Sequence, residues 1–272
     1  MSRRIGVRWT IGDVSPQGFE ALRLSVWGAW RLFGPQAAYA VVVNSLPLAQ
    51  AQIRTGPLPD GVEWRPAGAP PEGLRRYIGA GMAEGVAWKL APLRCFPDRY
   101  ELSLDNDCIL WDLPDAMRAW LEEEEPRCLI AADVELAHGA FTDLTRPEPR
   151  NTGIRGLLPG HDLEAALMTV LARHPVPLRS ELDEQGLQVV ALDLGRPAHV
   201  VPTRDVSICS PFWPKRPELG RMGAHFVGLN SRNLPWNYYD RPATGWVVEN
   251  WERHKPEICR RVGCDMRVST HI

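Results

Sequence analysis

An α/β fold built on a central, mainly parallel sheet is predicted by three observations. Strand-like and helix-like segments alternate through the first half of the chain. Residues 38–43 form a wholly apolar, β-branched run, the pattern of a strand buried on both faces. The strand–helix–strand spacing over residues 5–43 is that of a βαβ unit.

The elements follow in order. Residues 5–11 form the first strand, ending in Gly12-Asp13. Ser15 is placed to cap a helix with Pro16 at its first position, and Phe19, Leu22, Val26 and Trp30 supply its apolar face up to Gly34-Pro35. Residues 57–73 are rich in Pro and Gly but hold a third strand at 62–65. Residues 85–96 are expected to form a short helix in spite of Pro92. A strand at 100–104 runs into Asp105-Asn106-Asp107 and the apolar stretch 108–111. Residues 115–125 read as a helix whose acidic end, Glu122 to Glu125, is a solvated face. A short strand at 128–132, a loop-like segment at 147–160 and a helix at 163–172 come next. From Pro211 onward the chain is dense in Trp, Pro and Gly and weakly periodic. It is expected to be an irregular, partly antiparallel part that completes a site. There is no internal repeat. One unit spanning 1–272 is expected, its first half 1–112 and its second half 113–272.

Size and composition narrow the function. The 272 residues are enough to bury a sizeable core, and 44% hydrophobic and 24% charged residues are ordinary for a globular protein. A net charge of -2 gives no reason to expect nucleic acid as a partner. No apolar run reaches the roughly 20 residues that span a bilayer. Arg8 interrupts the apolar start, so no signal peptide is expected and the location reads as cytoplasmic, with peripheral membrane contact left open. The six cysteines lack zinc-site spacing and read as reduced thiols. Gly79 to Glu84 begins like a dinucleotide fingerprint but carries Glu at its sixth position. An EF-hand reading of Asp105-Asn106-Asp107 fails, because Leu110 stands where the turn glycine belongs and Ala116 where the bidentate Glu belongs.

Asp105 and Asp107 carry the chemistry. In extended geometry residues two apart point the same way, so both carboxylates would face one point at the C-terminal edge of the sheet, where open α/β sheets bind ligands. Like charges held together call for a cation, and an oxygen donor set suits Mg²⁺ or Mn²⁺. Taken alone, the three residues fit an ordinary Asx turn equally well. The apolar runs on either side favour a metal site.

The segment from Trp88-Lys89-Leu90 through Asp105-Asn106-Asp107 resembles the donor site of GT-A-fold glycosyltransferases, and most resembles retaining family 8, which includes glycogenin and bacterial lipopolysaccharide galactosyltransferases. Asn151-Thr152-Gly153 is similar to that family's Asn-x-Gly, and Glu184-Gln185 to its Asp-Gln. His225 to Gly228, then Pro235-Trp236, is similar to its His-x-x-Gly…Lys-Pro-Trp. The resemblance implies a nucleotide-diphospho-sugar transferase fold and transfer of a hexose from a nucleotide sugar, UDP-linked by default, to an acceptor hydroxyl. It implies Asp105, Asp107 and His225 as ligands of Mn²⁺ or Mg²⁺. Lys89, Asn151 and Asp105 would bind the donor, and Glu184 and Gln185 would lie beneath the anomeric carbon. Leu234 replaces the Lys before Pro-Trp, and Arg232 is the substitute cation for the diphosphate. Two other readings stay open: a catalytically silent protein of this fold, and a sugar nucleotidyltransferase. Trp236, Trp246, Trp251, Tyr238 and Tyr239 fit either a core filler or an acceptor platform.

Overall fold

Along β1 (Ile5–Ile11) every second side chain enters the core. Val7, Trp9 and Ile11 are buried in one cluster with Phe19, Leu22 and Val26 of α1 (Pro16–Phe33). Ser15 caps α1 as expected, accepting from Gly18 N at 3.0 Å. The computed structural model describes residues 3–78, 87–123 and 127–264. The Gly79–Glu84 stretch weighed above, and Glu124 and Glu125 of the acidic run, lie outside the described residues.

The chain continues through β2 (Ala38–Val43), α2 (Leu48–Thr55), β3 (Val62–Pro66) and α3 (Glu72–Arg75). Next come β4 (Tyr100–Asp105), β5 (Cys108–Leu110), α4 (Asp115–Glu122), β6 (Leu129–Ala132) and β7 (Arg150–Leu157). It then forms α5 (Leu163–Arg173), α6 (Glu181–Leu192), β8 (His199–Val201), β9 (Val206–Ile208) and β10 (Gly223–His225). The hairpin β11 (Asn237–Tyr238) and β12 (Arg241–Pro242) leads into α7 (Ala243–Val262). The main sheet has seven strands in the order β3-β2-β1-β4-β7-β6-β8. β3, β2, β1 and β4 run parallel, β7 is antiparallel to both β4 and β6, and β8 is parallel to β6. The mainly parallel α/β architecture is the one the sequence predicts. A smaller sheet, β5-β10-β9, branches off where β4 ends.

Three local expectations need correction. Of the helix expected over 85–96, residues 85 and 86 lie outside the described residues, and 87–96 do not form it: a short 3-10 turn at Ala87–Leu90 gives way to an irregular strap through Pro92, which cannot donate to a helical ladder. The loop expected at 147–160 contains β7, the strand that joins β4 to β6; Arg150, Asn151, Thr152, Gly153, Arg155 and Gly156 hide it, because they break the apolar alternation that marks a strand. The sequence outlined no element at Glu184, which stands in the capped start of α6, with Ser180 and Asp183 closing a capping box. The C-terminal part is less irregular than expected. α7 runs for 20 residues with Pro256 inside it, and its buried stripe is thinned by Asn250. No helix among the described residues is long and apolar enough to cross a membrane.

α6 packs against the segment at His138, which leads into a 3-10 turn at Gly139–Leu144, only because Gly186 allows it. A Cβ there would lie 2.1 Å from His138 O, a backbone atom with no room to yield. Gly186→Ala is therefore expected to cost ~1–3 kcal/mol of stability in chemical denaturation, the usual penalty of overpacking. Gly68→Ala, where a Cβ meets nothing within 4 Å, serves as the neutral control.

Candidate active site

Three segments meet at the C-terminal end of β4. Asp105 is the last residue of that strand, and Asn106 and Asp107 form a tight turn into β5. The two acids are thus not neighbours along one extended strand. The turn and the cluster coexist, because β4 and β5 belong to different sheets and the chain must swing between them. β10 pairs antiparallel with β5 and sets His225 opposite Cys108. Phe226 N donates to Asp107 O at 2.9 Å, locking the turn to β10.

The oxygen and nitrogen donors of Asp105, Asp107 and His225 all lie within 4.8 Å of one another. His225 Nε2 is 3.3 Å from Asp107 Oδ1 and 3.6 Å from Asp105 Oδ2. A Cβ on Gly153 would fall 2.4 Å from His225 Cε1, so the imidazole fills space that only glycine leaves. That explains the glycine of the Asn-Thr-Gly segment. Lys89 Nζ lies 2.7 Å from Asp105 Oδ1. Burial opposes charge on both His225 and Lys89. For His225 the hydrogen bond and charge of Asp107, aided by Asp105, outweigh burial and raise its pKa. For Lys89 the charges of Asp105, Glu184 and Asp107 do the same. A donor set of two carboxylates and an imidazole, crowded enough to favour cations, fits Mn²⁺ or Mg²⁺.

Glu184 and Gln185 approach from the first turn of α6. Glu184 is 1% exposed, and Gln188 Nε2 donates to its Oε1. Burial pushes its pKa up to about 7, against the pull of Lys89 and Arg155. Gln185 is held at both ends of its carboxamide: Thr152 N donates to Oε1 at 3.2 Å, and Nε2 donates to Ala137 O at 2.9 Å. Asn151 donates to Asp133 Oδ2 at 3.0 Å and accepts from Gly153 N at 2.7 Å.

These side chains line one cavity of about 640 Å³, within the ~300–1,000 Å³ range of ligand sites. Lys89, Asp105, Asp107, Asn151, Glu184, Gln185 and His225 all contribute to its wall. Arg232 does not; its exposed guanidinium is tied to Asp13 and to Val14 O just outside the rim. Several lining residues escaped the sequence. Asp133 follows β6 directly, and its place at a strand's C-terminal end was an available signal. Asn230 donates to Asp107 Oδ2 at 3.2 Å and pairs amide to amide with Asn106. Glu135 and Lys215 form an ion pair across the cavity wall. Nothing local in the sequence marks these last three, because distant segments deliver them.

No protein-family model and no curated protein matches the chain. Solved structures do. An active-site mutant of LgtC is similar with a TM-score of 0.52 at 13% identity, over 93% of this chain and 95% of that one. The galactosyltransferase LgtC in complex with donor and acceptor sugar analogs gives a TM-score of 0.52 at 14% identity, over 97% and 98%. The bifunctional glycosyltransferase WbbM gives 0.50 at 12% identity; 96% of this chain matches, but it spans only 52% of that protein. At such identities the likeness speaks for the fold. The chain has the GT-A-type α/β fold that these glycosyltransferases share.

Proposed function

We propose that this protein is a metal-dependent glycosyltransferase that moves a hexose from a nucleotide diphosphate sugar, UDP-linked by default, to an acceptor hydroxyl. The observation that carries the reading is the Asp105–Asp107–His225 cluster on the wall of a ligand-sized cavity, at the sheet edge where this fold class binds nucleotides. A neighbour of the same fold is a galactosyltransferase captured with donor and acceptor sugar analogs, which supports it. The donor would lie along residues of the first half, 1–112, and the sugar and acceptor along 113–272. A cytoplasmic location goes with this reading.

Asp105, Asp107 and His225 would hold Mn²⁺ or Mg²⁺, which supplies positive charge next to a departing diphosphate. Lys89 adds a fixed cation beside Asp105 and serves the same anion as a point charge. Arg232 would reach that anion only by exchanging its bond to Asp13. Asn151, rigidly held between Asp133 and Gly153, presents its amide to sugar hydroxyls. Gln185, pinned at both ends, is the group nearest the β-face of the sugar, and Glu184 beside it tunes positive charge developing at the anomeric carbon. This placement goes with retention of configuration. One observation favours a second reading, a catalytically silent nucleotide-binding protein: Lys89 and Arg232 are already neutralised by Asp105 and Asp13. A nucleotidyltransferase is disfavoured by the Gly12 to Ser15 loop, which lacks any Lys or Arg for a triphosphate.

Thermal stability measured with UDP and UDP-sugars, with Mn²⁺ and with chelator, tests the first reading. A metal-dependent rise in midpoint is expected, worth ~2.7 kcal/mol at a hundredfold excess over Kd. Asp107→Ala is expected to abolish it; a shift that survives would remove the metal assignment. Gln185→Ala is expected to keep that shift while donor hydrolysis or transfer drops by on the order of 10²-fold. Equal loss of both would make Gln185 merely structural.

Glu184 has a separate, pH-dependent signature. Its folded pKa of about 7 lies above the ordinary 4.5, so between those values the native state binds more protons than the unfolded one. Stability contributed by this group is therefore lost as pH rises through that window. Denaturation in chelator is expected to show Glu184→Gln gaining on the wild type by on the order of 3 kcal/mol from pH 4.5 to 7. A constant difference would refute it.

A further inference from the structure

Past the end of β6, residues 133–138 run without regular structure to the 3-10 turn at Gly139–Leu144. Asp133, Glu135, Leu136 and Ala137 of this segment line the main cavity. Its two ends are fastened. Asp133 N donates to Pro149 O at 3.1 Å. The His138 ring is held by Thr145 Oγ1 at 2.9 Å and by Arg150 O at 3.1 Å. The middle is held differently. Among the described residues, the polar contacts of 135–137 are two: Ala137 O accepts from Gln185 Nε2 at 2.9 Å, and Glu135 pairs with Lys215.

The segment also steers two amides of the cavity wall. Asp133 Oδ2 accepts from Asn151 Nδ2 at 3.0 Å. Ala137 O holds one end of the Gln185 carboxamide, and Thr152 N of β7 holds the other at 3.2 Å. The sheet fixes the second of these partners. The first is only as well placed as residues 133–137 are, and the same is true of the acceptor for Asn151.

Lys215 is delivered from another part of the molecule, the loop between β9 and β10. Ser210 N donates to Arg216 O at 3.1 Å and closes the neck of that loop. Just beyond Lys215, His254 Nε2 of α7 donates to Pro217 O at 2.5 Å, and Ser207 Oγ of β9 donates to Glu218 O at 2.8 Å. Lys215 therefore stands on a base tied to the branch sheet and to α7. Its ammonium is the one polar tie, among the described residues, between this loop and the 133–138 segment.

Such a pair does little for the stability of the fold. The Lys215 side chain is 22% exposed and that of Glu135 42%, and ion pairs open to water contribute little. Geometry is a different matter, because a displacement of about 1 Å in a positioned group can lower turnover on the order of a hundredfold. We propose that the Glu135–Lys215 pair is a positioning device, tying residues 133–137 to the branch sheet so that Asn151 and Gln185 keep their orientation in the cavity. Both residues act through these amides. The catalytic consequence rests on the glycosyltransferase reading; the mechanical coupling does not.

Glu135→Gln, Lys215→Met, Lys215→Arg and the charge swap Glu135→Lys with Lys215→Glu test it in the full chain. The first readout, independent of activity, is hydrogen exchange of the Thr152 amide by NMR, since Gln185 accepts that proton. Glu135→Gln and Lys215→Met are expected to speed this exchange about tenfold, as local opening becomes easier. Lys215→Arg and the charge swap are expected to restore the wild-type rate. The second readout is UDP release from UDP-glucose and UDP-galactose with Mn²⁺. In the two unpaired variants kcat is expected to fall about ten- to a hundredfold, with KM changed less than about twofold. Recovery is expected in the two re-paired ones. Unchanged exchange in both unpaired variants, or a charge swap no better than they are, would overturn the proposal. A loss confined to Lys215→Met would make Lys215 a direct ligand and overturn it too. Absence of both turnover and the UDP–Mn²⁺ thermal shift in the wild type would instead remove the transferase reading, and the exchange rates would still decide the coupling.

Discussion

A row of buried charge under the 91–96 strap holds the site together. Arg8 of β1 and Arg155 of β7 flank Ser103 of β4 on one face of the sheet, and both arginines are almost fully buried. Arg8 donates to Pro92 O at 2.6 Å and Arg155 to Leu93 O at 3.3 Å. Glu101 accepts from Cys95 N at 2.7 Å and Phe96 N at 2.5 Å. Buried ions are costly unless paired and hydrogen-bonded, so these groups tolerate little movement. They clamp an otherwise irregular strap to the sheet, and that strap begins just after Lys89. Arg155 also bonds Gln188, which bonds Glu184. One polar row thus fixes both the lysine and the carboxylate that line the cavity.

The opposite face of the same strands is apolar. Trp9, Val41, Leu104 and Ile154 join α1 in the large core cluster. The strict alternation of strands divides these duties: residue by residue, one face packs and the other carries charge. β4 ends this pattern at Asp105, and the turn into β5 spends its side chains on the cavity and on α1. Asn106 donates to Gly18 O at 3.1 Å, so the turn at Asp105–Asp107 is braced against the helix that the first strand feeds.

The branch sheet gives the site its reach. β10 brings His225 to the acids, and the segment after it brings Asn230. The loop between β9 and β10 brings Lys215. The larger sheet supplies rigidity and anchoring charge, while the smaller sheet and its loops deliver His225, Asn230 and Lys215 to the cavity.

The sequence by itself determined the fold class, because a βαβ period and a doubly buried strand are local patterns set by alternation and capping. It also brought forward Lys89, Asp105, Asp107, Asn151, Glu184, Gln185 and His225, which share one cavity wall, since each lies in a short motif or at the end of a legible element. It misjudged β7 and α7 and did not outline α6, where buried polar residues and an internal proline blur the apolar period. Only the tertiary structure decided that Arg232 stays tied outside the rim, that Asp133, Asn230 and Lys215 enter the cavity, and which aromatics stay exposed. Those outcomes depend on contacts between segments far apart in the chain. Such contacts are chosen by packing and charge pairing in three dimensions, which no local spacing records.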